Sequence, residues 1–205
     1  MYMADDQKEG PRPTRYGDKV ERIYRVLLSR RLEDPTWYRV AKEADVAYGW
    51  AHRVLKGLEG KGILEERRVI DPRALFALWA ARPDQRVYRE YHIRDASNLI
   101  KNADMEYALT GYSAENLIGH YLFPRYHEVY IHEEDAASWH DLMTSQGLVG
   151  RGNVQVLLAD EHVFYERQEV DGWPLVSTQQ VILDLYRTGV ECAEAADLLV
   201  GRLYA

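Results

Sequence analysis

Two apolar stripes meeting across a three-residue corner constrain this chain more than any other feature. Residues 36–62 read TWYRVAKEADVAYGWAHRVLKGLEGKG. Trp37, Val40, Ala41 and Ala44 recur at i, i+3, i+4 and i+7, the spacing of one face of a helix. Asp45-Val46-Ala47 forms the corner, and Asp tolerates the left-handed backbone that sharp corners require. Ala47, Ala51, Val54, Leu55 and Leu58 then share one face of a second helix. The opposite face carries Tyr48, Gly49, His52, Arg53 and Lys56, with Trp50 at the border. Gly62 stands where a helix end favours a left-handed residue, and Lys61 complements the dipole of the last turn. This is the layout of a helix-turn-helix, whose second helix enters the major groove of duplex DNA. A helical hairpin packed closely on its small residues satisfies the same stripes.

The flanking segments decide how far the DNA reading extends. Residues 1–17 are polar, with two prolines and two glycines, the composition of a flexible arm from which Arg12 and Arg15 can reach phosphates or a minor groove. Asp18 opens a helix with Glu21 as its capping-box partner, and Val20, Ile23, Tyr24, Leu27 and Leu28 form its apolar face. After Gly62, residues 63–70 have strand character, and a hairpin here completes a winged helix. No Asn-Gly or Gly-rich turn is present, so the wing is very short or a single strand, with Arg67 and Arg68 facing the DNA backbone. Asp71 and Pro72 then start a helix as N-cap and first residue, and Leu75, Phe76, Leu78 and Trp79 predict that it is buried between two halves. Arg82-Pro83-Asp84 marks the boundary between an N-terminal domain, 18–83, and a second domain, 84–205.

Charge supports that division. The whole chain carries -7, an unusual balance for a nucleic-acid binder. Residues 1–72 nevertheless hold 15 Lys and Arg against 13 Asp and Glu, a net +2, while residues 73–205 hold 11 against 20, a net -9. A DNA-binding half joined to an acidic half with a different partner fits this asymmetry. No apolar run approaches the roughly 20 residues of a membrane span, and no signal peptide is recognisable. With Cys192 as the single cysteine there is no internal disulfide. A cytoplasmic protein is expected, with no membrane partner.

The second half alternates strands and helices. Asp95 caps a short helix, and Tyr107 to Leu109 is a strand leading into Thr110-Gly111-Tyr112-Ser113, where Ser113 caps the next helix. His127 to His132 alternates as a strand, followed by a helix from Glu133 to Met143. Val154, Val156 and Leu158 form a strand that turns at Asp160-Glu161, and Val163 to Val170 runs back beside it. Asp171-Gly172 is a further turn, Ser177 and Gln180 form a capping box, and two helices close the chain, the last on Cys192, Ala195, Ala196, Leu199 and Leu203. Chemistry is sparse. His127 and His132 face opposite ways on their strand with no cysteine cluster nearby, so no metal or other cofactor is expected. Cys192 sits on an apolar stripe as a packed small hydrophobe. The Thr110–Ser113 turn offers backbone amides that can cradle an anion.

The runs YALTGYSAENLIGHYLFPRYHEVYI, NVQVLLADEHVFYERQEVDGWPLVSTQQVILDLYRTG and ECAEAADLL resemble the C-terminal domain of the AbiEi-type antitoxins, with DPRALFALWA ahead of them in the same order. The resemblance covers nearly all of residues 18–205. It implies an α+β chain: an N-terminal winged helix-turn-helix domain followed by a mixed α/β, nucleotidyltransferase-like scaffold. It further implies repression of the protein's own operon and neutralisation of a nucleotidyltransferase-like toxin without a stable complex being required. Catalysis itself needs a Gly-Ser turn and paired carboxylates on the next strand to hold Mg²⁺. Here Tyr112 separates Gly111 from Ser113, and the next strand reads His127-Glu128-Val129-Tyr130. The expectation is therefore a non-enzymatic, autoregulating antitoxin that binds double-stranded DNA. Two alternatives are a winged-helix regulator whose acidic half binds another protein or ligand, and an active nucleotidyltransferase.

Overall fold

The computed structural model describes residues 16–30, 35–84 and 86–204. The N-terminal portion is a cluster of helices, α1 (Tyr16–Ser29), α2 (Trp37–Glu43) and α3 (Tyr48–Glu59), with a hairpin of β1 (Leu64–Glu65) and β2 (Arg68–Val69). The stripes dictate the packing. Val40, Ala41, Ala44, Ala51, Leu55 and Leu58 are all buried, together with Ile23, Leu27 and Leu28 of α1. Asp45 turns the corner at φ 50°. Thr36 accepts a hydrogen bond from the Arg39 amide at 3.2 Å and so caps α2. Gly62, at φ 70°, ends the second helix in the left-handed region.

One local expectation changes here, and the hairpin takes the very short form expected. Helix α1 begins at Tyr16, so Asp18 lies inside its first turn rather than capping it. Glu21 instead accepts from Arg187 at 3.1 Å, in the C-terminal portion of the chain. The hairpin forms without glycine, because Glu66 and Arg67 themselves take positive φ, 46° and 72°. Such a turn matches the twist of the two strands it joins, and the backbone strain falls on exposed residues. Helix α4 (Pro72–Ala80) starts as predicted, with Asp71 Oδ1 accepting from the Ala74 amide at 2.9 Å.

The remainder builds on a mixed sheet of seven strands among the described residues. They are β3 (Val87–Ile93), β4 (Tyr107–Thr110), β5 (His127–Ile131), β6 (Gly147–Val149), β7 (Val154–Leu158), β8 (Gln168–Val170) and β9 (Trp173–Leu175), in the order β6-β3-β7-β5-β4-β9-β8. The β5–β7 and β4–β9 pairs are parallel and the other neighbours antiparallel. The helices are α5 (Ala96–Lys101), α6 (Gly111–Ile118), α7 (Ala136–Gln146), α8 (Thr178–Thr188) and α9 (Val190–Tyr204). Both faces of the sheet are covered. Tyr107 meets Trp139 of α7 edge-on at 5.6 Å, while Thr110 bonds Asp184 of α8 from the opposite face. Central β4 is accordingly buried at every residue.

Two further expectations fail in this portion. Residues 163–170 do not run back beside β7, whose neighbours are β3 and β5. Asp160 accepts from the His162 amide at 3.0 Å and starts a short 3-10 turn, Glu161–Phe164. Only Gln168–Val170 is extended, at the far edge of the sheet, where Asp171 and Gly172 turn it into β9. Ser113 lies within α6 and donates to the Tyr126 carbonyl at 2.9 Å instead of capping. Helix α4 buries Leu75, Phe76 and Trp79 completely and packs on α1, α8 and α9. The buried apolar residues of both portions form one continuous core.

Candidate nucleic-acid interface

The outward face of α3 carries the residues singled out in the sequence. Tyr48 is half exposed, Gly49, His52, Arg53 and Lys56 are exposed, and Trp50 lies at the border, partly buried. Nothing approaches within 4 Å of the point where a Cβ of Gly49 would stand, so this face is open. The face is also ordered by its aromatic rings. The His52 ring meets Trp37 edge-on at 4.9 Å, and the Lys56 ammonium lies 4.8 Å from the centre of the same indole. The Arg53 guanidinium sits 5.6 Å over Trp50. Cation–π contacts of this kind hold a long side chain in place without neutralising it. Lys56 also pairs with Glu59 at 2.8 Å, an exposed bond that a phosphate can replace at small cost.

The hairpin lies beside this face. Tyr48 and Arg67 line one open cleft of about 410 Å³ together with Thr36, Trp37 and Tyr38. Arg68 is exposed on β2 opposite Glu65. Arg12 and Arg15 lie outside the described residues. Tyr38 was missed by the sequence reading. It is 68% exposed at the mouth of the cleft, and its position next to Trp37, off the apolar stripe, was the available signal. The structure thus sets Tyr48, His52, Arg53 and Lys56 along α3, the last three against the rings of Trp37 and Trp50, with Arg67 lining the same cleft as Tyr48.

The Thr110–Ser113 turn is the other candidate site, and it is already filled. Gly111 takes φ +56°, and the carboxylate of Glu128, from β5, packs against it so closely that a Cβ would lie 1.5 Å from Oε2. The Tyr112 amide donates to that oxygen at 3.1 Å. A side chain of the protein therefore occupies the anion cradle at the start of α6. Burial raises the pKa of Glu128, which has the neighbouring Asp184 as a second charge of the same sign. Asp184 is completely buried and fully bonded. Thr110 donates at 2.6 Å, Tyr130 at 3.1 Å and Gln180 at 2.9 Å, and Arg86 pairs with it at 3.1 Å. Arg25 of α1 joins this network by donating twice to Gln180, at 3.0 and 2.8 Å. Among the described residues no three His, Cys, Asp or Glu side chains are grouped to hold a metal ion. Nor is any helix long and apolar enough to cross a membrane.

A family model described as "Transcriptional regulator, AbiEi antitoxin, Type IV TA system" matches residues 68–203. The chain belongs to this family. The matched stretch begins at the second strand of the hairpin and takes in α4, the whole mixed sheet and most of α9. Helices α2 and α3 precede it, so the DNA-facing reading of the AbiEi-type chain draws on its own residues. No curated protein and no solved structure matches the chain.

Proposed function

We propose that the chain is a cytoplasmic DNA-binding repressor of its own operon and the antitoxin of a type IV toxin–antitoxin pair. In this reading residues 18–83 are a winged helix-turn-helix domain, α3 is its recognition helix, and the β1–β2 hairpin is a minimal wing. The observation that carries it is the open face of Tyr48, Gly49, His52, Arg53 and Lys56 beside Arg67 and Arg68, on a chain that belongs to a family of transcriptional regulators. Base edges are met by Tyr48, His52 and Arg53, and the DNA backbone by Lys56, Arg67, Arg68 and the arm with Arg12 and Arg15. Residues 84–205, a nucleotidyltransferase-like scaffold in this reading, serve the functional partner, a nucleotidyltransferase-like toxin. A non-catalytic role is supported by Glu128, which fills the turn where a triphosphate must bind.

Gel-shift titrations on the duplex upstream of the gene, at fixed salt, test this assignment. Arg53→Ala is expected to cost about 1–3 kcal/mol if its guanidinium pairs with a base. Unchanged affinity in the Arg53→Ala, Lys56→Ala double variant removes this face from the interface. A toxin gene in the adjacent reading frame separates an antitoxin from a regulator with another partner. Incorporation of labelled nucleotides in the presence of Mg²⁺ would promote the enzyme reading.

A further inference from the structure

Three features of α2 and its corner are held by residues far away in the sequence. Arg22 of α1 donates through Nε and Nη2 to both oxygens of Asp160, each at 2.8 Å, and through Nη1 to Asp45 at 2.9 Å. The corner between α2 and α3 is thereby tied to the 3-10 turn after β7. The final residue of α2, Glu43, is gripped as well. Its carbonyl accepts from His162 Nε2 at 2.8 Å, and its carboxylate accepts from the Tyr165 hydroxyl at 2.5 Å, Arg30 at 3.0 Å and Arg39 at 2.7 Å. Arg30 in turn pairs with Glu166 at 3.0 Å. Residues 160–166 therefore hold the last residue of α2 directly, through His162 and Tyr165, and reach the corner residue Asp45 through Arg22. The Arg22 and Asp160 side chains are only 12% and 17% exposed, and a bidentate pair of this kind is directional as well as strong.

We propose that residues 160–166 are a positioning element for DNA binding, with Asp160 and Tyr165 acting on the recognition helix through Arg22, Asp45 and Glu43. The proposal rests on the DNA-binding reading of α3. Contacts to base edges require a helix held to within a fraction of an ångström, and supporting side chains supply that precision. Neither residue touches DNA in this arrangement. Asp160 acts against simple electrostatics, since a carboxylate repels phosphates.

That opposition makes the test decisive. Full-length wild type, Asp160→Asn, Tyr165→Phe, Asp160→Glu and Lys56→Ala are titrated with the upstream duplex by fluorescence anisotropy over a range of salt concentrations. Stoichiometric titration corrects for the active fraction, so partial unfolding does not register as weaker affinity. Removing a negative charge strengthens binding if charge alone counts. The positioning role instead predicts that Asp160→Asn and Tyr165→Phe each weaken binding about fivefold to tenfold, with the salt dependence of wild type and substantial recovery in Asp160→Glu. Lys56→Ala is expected to reduce the slope of log K against log salt by about 1 through loss of one phosphate contact. Tyr165→Phe keeps the test valid if Asp160→Asn fails to fold. Unchanged or tighter binding in both variants, beside weakened Lys56→Ala, overturns the positioning role alone. If Arg53→Ala and Lys56→Ala are also without effect, the DNA-binding reading falls with it.

Discussion

Acidification from pH 7.5 to 5 places a proton on His162 in the unfolded chain but not in the folded one. The ring is pinned from both sides. Arg25 Nη1 lies 3.0 Å from Nδ1, and since a guanidinium only donates, Nδ1 is the bare acceptor. Nε2 then carries the hydrogen and donates to the Glu43 carbonyl at 2.8 Å. A second proton has no acceptor to meet and two cations, Arg25 and Arg22, to face, while Asp160 offers only partial relief. Burial first, then Arg25, lowers the pKa of His162 from its ordinary 6.5 to about 4. A folded-state pKa below the unfolded one contributes stability above pH 6.5 and loses it as the pH falls toward 4. At pH 5 the loss is about 2 kcal/mol, an upper figure because the ring is partly exposed. For a chain of this length that is roughly 4–8 °C in melting temperature. Thermal melts of wild type and His162→Gln at both pH values isolate the effect, because all other titrating groups are common to the two proteins. The stability advantage of wild type should shrink by about 2 kcal/mol on acidification. An advantage that stays constant refutes the argument.

Other perturbations probe the filled turn and the shared core. Gly111→Ala should destabilise by more than about 3 kcal/mol in chemical denaturation, since its Cβ meets the buried Glu128 carboxylate at 1.5 Å on a left-handed backbone. Glu128→Gln should raise the melting temperature at pH 8 and change little at pH 4, because burial raises the carboxyl pKa and the charged form is the costly one. Trp79→Ala should cost about 3–5 kcal/mol, and should do so in a single transition whether followed by tryptophan fluorescence or by far-ultraviolet circular dichroism.

Where the sequence was legible, a local rule sufficed. Helical spacing found both stripes of α2 and α3, and Asp45 and Gly62 took the left-handed backbone that their residue types favour. Asp71-Pro72 and Asp171-Gly172 were equally plain. The failures have a common physical origin. Glu66 and Arg67 adopt positive φ because the strands on either side demand it, against their own preference. Residues 163–170 follow a turn, where a returning strand is expected, yet the places beside β7 are taken by β3 and β5. Ser113 has the chemistry of a cap, but α6 already begins at Gly111, and the hydroxyl is taken up by the Tyr126 carbonyl, 13 positions on. The grip of residues 160–166 on Arg22 spans 138 positions, and periodicity carries no information about which distant residues meet.

The unbroken core has a consequence for the protein's lifetime. Helix α4 buries Phe76 and Trp79 against helices that come more than a hundred residues later, so neither portion can open fully without exposing the other's interior. Opening is then governed by the global free energy rather than by a weaker local one. A protease that waits for that event removes the N-terminal helices and the acidic body together. Whatever each portion does, both activities decay on one clock.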